Sequence, residues 1–317
     1  MKALSTRLAS GHPLILDGAM GTQLLTKGVE VKLPLWSASV LESSPETVEE
    51  IHCDYVASGA EVLTANTFRT TTRTFLKVSK AKVARQRARD TCRAAVEAAR
   101  RAAGADCYVA GAMAALEDCY LPELFPGEKV ALEEFGELGN WLVEDGVDIL
   151  LIETMGRIVE ARCALRSVAK HSIDKWVSFI LKDSCMILDG SELREASTIA
   201  TAEGASAVLI NCSRLTTAVK AMDILAEVTA LPVVLSFRRG GEEERQFWRR
   251  TMEDLEQKKG DLKRAVQLLE GTGALQATVK RAQDYGRLAT DALDIFPDSE
   301  HKLALSETVE FAVNRSY

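Results

Sequence analysis

Seven short, nearly continuous apolar runs punctuate this chain, and helix-length stretches separate them. The runs fall at 14–19, 62–68, 108–113, 148–155, 177–183, 207–213 and 233–237. None alternates strictly between apolar and polar residues, so each reads as a strand covered on both faces, the pattern of a parallel sheet flanked by helices. Between them, Ser44-Pro45-Glu46 starts a helix, with Ser44 as N-cap and Pro45 at the first helical position. The Ala- and Arg-rich stretch 80–103 stops at Gly104. Further helical patterns occupy 130–144, 158–169, 192–203 and 216–229.

Strand and helix alternating seven times give either a doubly wound open sheet or an eight-stranded barrel. No Gly-x-Gly-x-x-Gly follows the first run and no phosphate loop occurs, which removes support from nucleotide-binding open sheets. Polar side chains gather where the runs end: Asp17, Asn66, Glu153, Asp183, Asn211 and Cys212. Barrel enzymes keep their sites at that end of the strands. The expected fold class is therefore α/β, a TIM (β/α)8 barrel, in one domain over 1–317. Its closing strand would lie at 273–279, in a C-terminal part that diverges from the regular pattern. The stretch 240–271 is a charged helical insertion with Trp248, Met252, Leu255, Leu262, Val266 and Leu269 on one stripe, broken near Gly260. It is either a solvated cover on the barrel or a surface for a homo-oligomer.

The net charge of −7 argues against a nucleic-acid groove, which needs a basic face. No window has the ~20 apolar residues of a membrane span, and the stretch before Asp17 lacks the apolar core of a secretory signal. The seven cysteines, at 53, 92, 107, 119, 163, 185 and 212, are scattered and contain no C-x-x-C. Reduced thiols in a cytoplasmic protein are the expectation.

Three positions invite chemistry on residue type alone. Asp17 followed by Gly18 lets a ligand approach the backbone while the acid pairs with an ammonium, or else simply caps a turn. Glu153 emerges from DILLIET and requires a partner if buried, either a ligand ammonium or a nearby cation such as Arg157. Cys212 at a strand end is a thiolate ligand or a small buried side chain.

The segments LILDGAMGTQL (14–24), LTANTF (63–68), LLIETM (150–155) and AVLINCS (207–213), in that order, resemble the homocysteine S-methyltransferase family. LEDCYLPE (116–123) and LDGSELREA (188–196) resemble family loops, and the resemblance covers about 12–237. It implies methyl transfer to the thiol of homocysteine or a related amino-acid thiol, within amino-acid metabolism and methionine biosynthesis. Asp17, Gly18 and Glu153 match positions that hold the amino-acid end of the substrate; Asn211 matches beside Cys212, and Asn66 matches an asparagine near the metal. Cys212 matches one of three cysteines that hold a catalytic zinc. Zinc with an open coordination position recruits a thiol as thiolate, whereas a free thiol of pKa ~8.5 is only slightly ionised at neutral pH.

The chain departs from the family after 237. It has no Cys-Cys pair and no cysteine beyond Cys212; Thr278, Val279, Lys280 and Arg281 stand around the expected positions. None of these side chains is a zinc ligand, so Cys212 is one ligand of three. Cys119 and Cys185 are the candidates to complete the set. Two alternatives follow. One is a different reaction on an amino-acid ligand, with Arg238, Lys280 or Arg281 binding an anionic group. The other is a non-catalytic binding or assembly protein. The expected partner is a small amino-acid thiol, with no nucleic acid and no membrane.

Overall fold

The computed structural model describes residues 4–8, 14–228, 236, 239–253, 256, 258–274, 280, 287, 290, 302 and 303. The chain divides into two compact units, Met1–Leu225 and Ala226–Tyr317.

In the first unit five of the apolar runs are strands: β1 (Val62–Ala65), β2 (Tyr108–Ala114), β3 (Ile149–Met155), β4 (Asp174–Phe179) and β5 (Ala207–Ile210). They form one parallel sheet in sequence order. The helices are α1 (Leu4–Leu8), α2 (Met20–Thr26), α3 (Ala38–Ser43), α4 (Pro45–Ala57), α5 (Thr72–Leu76), α6 (Ala81–Ala103), α7 (Glu128–Glu144), α8 (Ile158–Ser167), α9 (Leu193–Ala202) and α10 (Leu215–Val228). Every strand is thus followed by at least one helix before its parallel neighbour, the repeat of a barrel wall.

Both faces of the sheet are apolar, which explains the unbroken runs in the sequence. On one face Leu63, Val109, Leu150, Ile152, Val177 and Phe179 pack with helix residues such as Phe75, Phe135, Leu142 and Leu165. On the other, Val62, Tyr108, Ala110, Ile149, Leu151 and Trp176 form a separate cluster with Leu4, Leu14 and Leu16. Fully burying one such Leu or Phe side chain contributes about 1.5–3 kcal/mol, so the alternation of the pleat is satisfied twice over. Helix α6 stops where Gly104 takes a positive φ of 55°, a conformation that costs glycine little. Close packing of α7 on α8 uses Gly139, where a Cβ would stand 2.3 Å from Val168 Cγ1.

Several boundaries differ from the sequence expectation. The run 14–19 makes a single parallel bridge, Leu16 to Val62, because α2 begins at Met20 and cuts the strand short. The fourth strand starts at Asp174 and ends at Phe179; beyond it the chain folds back through antiparallel bridges Leu181–Ile187 and Met186–Glu192. Ser44 precedes Pro45 as expected but its side chain makes no capping hydrogen bond. Of the strands expected at 233–237 and 273–279, only Ser236, Gly273 and Ala274 are among the described residues, and Ser236 is helical rather than extended.

In the second unit α11 (Glu242–Trp248) runs into a π-helical turn, Arg249–Glu253, and α12 (Asp261–Gly271) starts after Gly260 at φ 100°. Trp248 is buried and its indole N–H donates to Ser236 Oγ at 3.2 Å. The break at Gly260 resets the helical phase, so Val266 is exposed and Leu268 takes the buried place expected of its neighbours. Asp261 caps the turn by accepting from Lys258 N at 2.6 Å and pairing with Arg250 at 2.9 Å.

Candidate functional site

A cavity of about 670 Å³ in the first unit gathers residues from the carboxyl ends of all five strands. Asp17 and Gly18 come from the loop after the Leu16 bridge, Thr64 and Asn66 from the end of β1, and Cys119 and Tyr120 from the loop after β2. Glu153 and Thr154 come from the end of β3, Ser178 from β4, and Asn211 and Cys212 from the turn after β5. Asp17, Gly18, Asn66, Glu153, Asn211 and Cys212 therefore meet in one place. Asp183 does not: its carboxylate lies outside, 3.1 Å from Arg214.

Asp17 is held rigidly. Thr64 donates to it twice, from its backbone N at 2.7 Å and its hydroxyl at 2.8 Å. Burial pushes its carboxyl up to about 6 against the pull of those bonds. Behind it stands His52, fully buried, with Nδ1 3.8 Å from Asp17 Oδ2 and no hydrogen-bond partner on either ring nitrogen. Burial pushes this imidazole down to about 4, so at neutral pH it is uncharged and does not neutralise Asp17. Gly18 leaves room for the Tyr55 ring: a Cβ there would lie 2.7 Å from the phenol oxygen.

Glu153 faces the same space. Its carboxyl is raised to about 7, first by burial and then by the negative charge of Asp17, with the Thr154 hydroxyl opposing. Asn211 Nδ2 reaches it at 3.4 Å and Thr154 Oγ1 at 2.8 Å. Arg157 is not its partner; that guanidinium donates to Pro122 O at 2.9 Å and lies over the Phe125 ring. Two neighbouring buried acids that no Arg or Lys among the described residues pairs with form a site that gains by admitting a cation between them. The backbone is strained at this point, with Thr154 at φ 58° and a register irregularity between Ile152 and Met155. A β-branched residue with positive φ is costly, and such strain collects at functional positions.

Asn66 is buried with both ends of its amide engaged by Ser37, which donates to Oδ1 at 2.6 Å and accepts from Nδ2 at 3.0 Å. It braces the wall between α3 and β1. Cys212 also has a positive φ, 48°, and is exposed, so the alternative of a small buried side chain does not hold. Partial burial and then the Glu153 charge raise its thiol, while hydrogen bonding with Tyr120 and Thr154 works the other way.

The thiols test the fit to zinc. Cys119 shares the cavity with Cys212, buried and pushed up to about 11. Cys185 does not line it; its Sγ lies 3.7 Å from Thr217 O. Cys92 and Cys163 are buried in α6 and α8. Among the described residues no three His, Cys, Asp or Glu side chains are grouped to hold a metal. With no cysteine after Cys212, the thiols present do not fit a three-thiolate zinc site.

Thr64, His52, Ser37, Thr154 and Tyr120 were not singled out in the sequence. Thr64 and Thr154 each adjoin a selected motif residue by one or two positions, and that proximity was the available signal. His52 and Ser37 reach the site from α4 and the start of α3, and nothing local marks them.

The sequence profile of the homocysteine S-methyltransferase family matches residues 14–276. Among curated relatives, homocysteine S-methyltransferase YbgG of Bacillus subtilis is 28% identical, covering 71% of this chain and 77% of its own. The homocysteine S-methyltransferase of Escherichia coli is 29% identical over 70% and 76%. A selenocysteine Se-methyltransferase of Brassica oleracea is 28% identical over 75% and 77%. Among solved structures, the metallated form of the homocysteine methyltransferase MmuM from Escherichia coli superposes with a TM-score of 0.64. It has 26% identity, and the match covers 71% of this chain and 84% of that one.

Proposed function

Since the chain belongs to the homocysteine S-methyltransferase family, we propose that it transfers a methyl group to the thiol of homocysteine or a related amino-acid thiol. One observation carries the reading: Asp17 and Glu153, two buried acids that no Arg or Lys among the described residues pairs with, open into the same cavity as Cys212. An amino-acid ammonium bound between the acids satisfies both charges. Asn211 steadies Glu153, Thr64 fixes Asp17, and Asn66 holds the intervening wall. The thiol end of the substrate is then free to lie toward Cys212.

The transfer itself needs a thiolate and an onium methyl donor. The sulfur lone pair forms a bond to the methyl carbon as the donor's carbon–onium bond breaks, leaving the donor neutral, and the thiol proton passes to solvent. A metal held by three thiolates would supply the substrate thiolate at neutral pH. We infer that zinc is not held here through three thiolates, so ionisation follows the pKa of the acceptor's own thiol, ~8.5. Cys212 then acts as a wall and hydrogen-bonding neighbour of the reacting sulfur.

A reducing compartment such as the cytoplasm keeps the seven thiols free and is where we place the protein. Among the described residues no helix is long and apolar enough to cross a membrane. We also retain 1–317 as one barrel domain with 240–271 as a helical insertion and a self-association surface, to be checked by light scattering of the full chain. The deciding experiment incubates the purified protein with L-homocysteine and a methyl-labelled sulfonium amino acid. Label appearing in methionine, and lost in Glu153→Gln, supports the proposal; homocysteine neither bound nor methylated with any onium donor overturns it.

A further inference from the structure

Among the described residues that line this cavity, Arg69 is the only Lys or Arg. Its side chain follows Asn66 out of β1 and lines the same space as Asp17, Glu153 and Cys212. The guanidinium Nε is buried with no acceptor, while one terminal nitrogen donates to the Glu117 backbone carbonyl at 2.9 Å. That bond and the Phe68 ring, 5.2 Å from the guanidinium carbon, fix the orientation of the plane.

The nearby acids are committed elsewhere. The Glu117 carboxylate takes Arg73 at 3.0 Å and Lys77 at 2.5 Å, and Arg73 also pairs with Glu134 at 2.7 Å. Asp118 turns an oxygen back onto Tyr120 N at 2.9 Å. Arg69 therefore has no carboxylate partner among the described residues, in a wall that holds its plane in one orientation. A buried guanidinium donor without an acceptor is costly, and a planar carboxylate is the group that fits its fork.

We propose that Arg69 is the carboxylate-binding residue of this site and restricts it to ligands that carry an α-carboxylate. The inference rests on the proposed amino-acid pocket and extends it. With two acids and one arginine the cavity presents charges complementary to a zwitterion. Its volume lies in the range of sites for larger ligands, so it admits an acceptor and a donor together. The carboxylate read by Arg69 then belongs either to the thiol acceptor or to the sulfonium donor.

Four probes separate these sources: L-homocysteine, its carboxylate-free analogue 3-aminopropane-1-thiol, S-methyl-L-methionine, and the corresponding decarboxylated sulfonium. Calorimetric titration of the wild type is expected to favour the carboxylate-bearing member of at least one pair by on the order of tenfold to a hundredfold. Arg69→Gln is expected to abolish that preference while leaving the decarboxylated member's affinity in place. Arg69→Lys retains part of it, since the charge remains and the fork is lost. Loss of preference in the thiol pair assigns the acceptor, and loss in the sulfonium pair assigns the donor. A wild type that does not distinguish either pair overturns the inference whatever the variants do, as does a preference that survives in a folded Arg69→Gln. Homocysteine binding that persists without discrimination removes Arg69's role alone, whereas no binding of any probe removes the amino-acid pocket with it.

Discussion

Replacing Glu153 by Gln should move stability and ligand binding in opposite directions, and the two magnitudes follow from one buried charge. An ordinary glutamate titrates near 4.5, and here the carboxyl is raised to about 7. The folded state therefore holds this proton more tightly than the unfolded chain. Its contribution favours folding below the ordinary value, is lost as pH rises from 4.5 through about 7, and above that is a constant cost. A displacement of this size corresponds to an upper bound of about 3 kcal/mol at 1.36 kcal/mol per unit, shared with Asp17, whose charge is one of its causes. Glutamine keeps an oxygen for Asn211 and Thr154 but carries no charge. At about pH 8 the unliganded variant should accordingly melt higher than the wild type, and at about pH 4.5 the two should converge. Binding should behave in the reverse sense. A charge-assisted bond to an ammonium is worth about 1.5–3 kcal/mol, so homocysteine should bind the variant on the order of ten- to a hundredfold more weakly at about pH 8. Wild-type affinity should also fall as pH drops below about 7, where Glu153 takes up its proton, and the variant should lack that step. Calorimetric titration and thermal melts across pH test both halves. A variant that melts lower at alkaline pH and binds homocysteine unchanged would show Glu153 to be part of the scaffold, and the reasoning would fail.

Thr64→Val removes the hydroxyl bond to Asp17 but keeps the backbone one; a rise in KM corresponding to about 0.5–1.5 kcal/mol, with kcat little changed, is expected from steady-state kinetics. Zinc analysis of freshly dialysed protein should give well under one equivalent, and activity should withstand chelators and climb with pH toward the thiol pKa of ~8.5; stoichiometric zinc expelled by Cys212→Ser would restore a metal mechanism. Gly139→Ala forces a methyl against Val168, 2.3 Å away, and should cost about 1–3 kcal/mol in denaturant unfolding, with Val168→Ala recovering part of it. A fully additive double mutant would mean that the contact is not the cause.

The apolar runs by themselves determined a parallel sheet covered by helices, because strands buried on two faces leave no room for polar alternation. Five of the runs are strands in sequence order, and their ends carry the site. Element limits were legible where local chemistry sets them, as at Gly104, and drifted where a neighbour decides, as at the end of the run 14–19 before Met20 or beyond Phe179. The motifs also placed Asp17, Asn66, Glu153, Asn211 and Cys212 at one mouth, since parallel strands joined by helices present all their carboxyl ends on one side. Tertiary structure alone decided which partners these residues have. Arg157 sits next in line to Glu153 yet turns to Pro122, while Asn211, distant in sequence, reaches it. Cys119 enters the cavity and Cys185 does not, although both follow strands. The His52 imidazole behind Asp17 and the Arg69 guanidinium, which has no carboxylate partner among the described residues, belong to the same class. Local sequence fixes where a strand ends, but the charge and hydrogen bonding at that end depend on side chains brought together through space, and their burial sets the pKa values on which the chemistry rests.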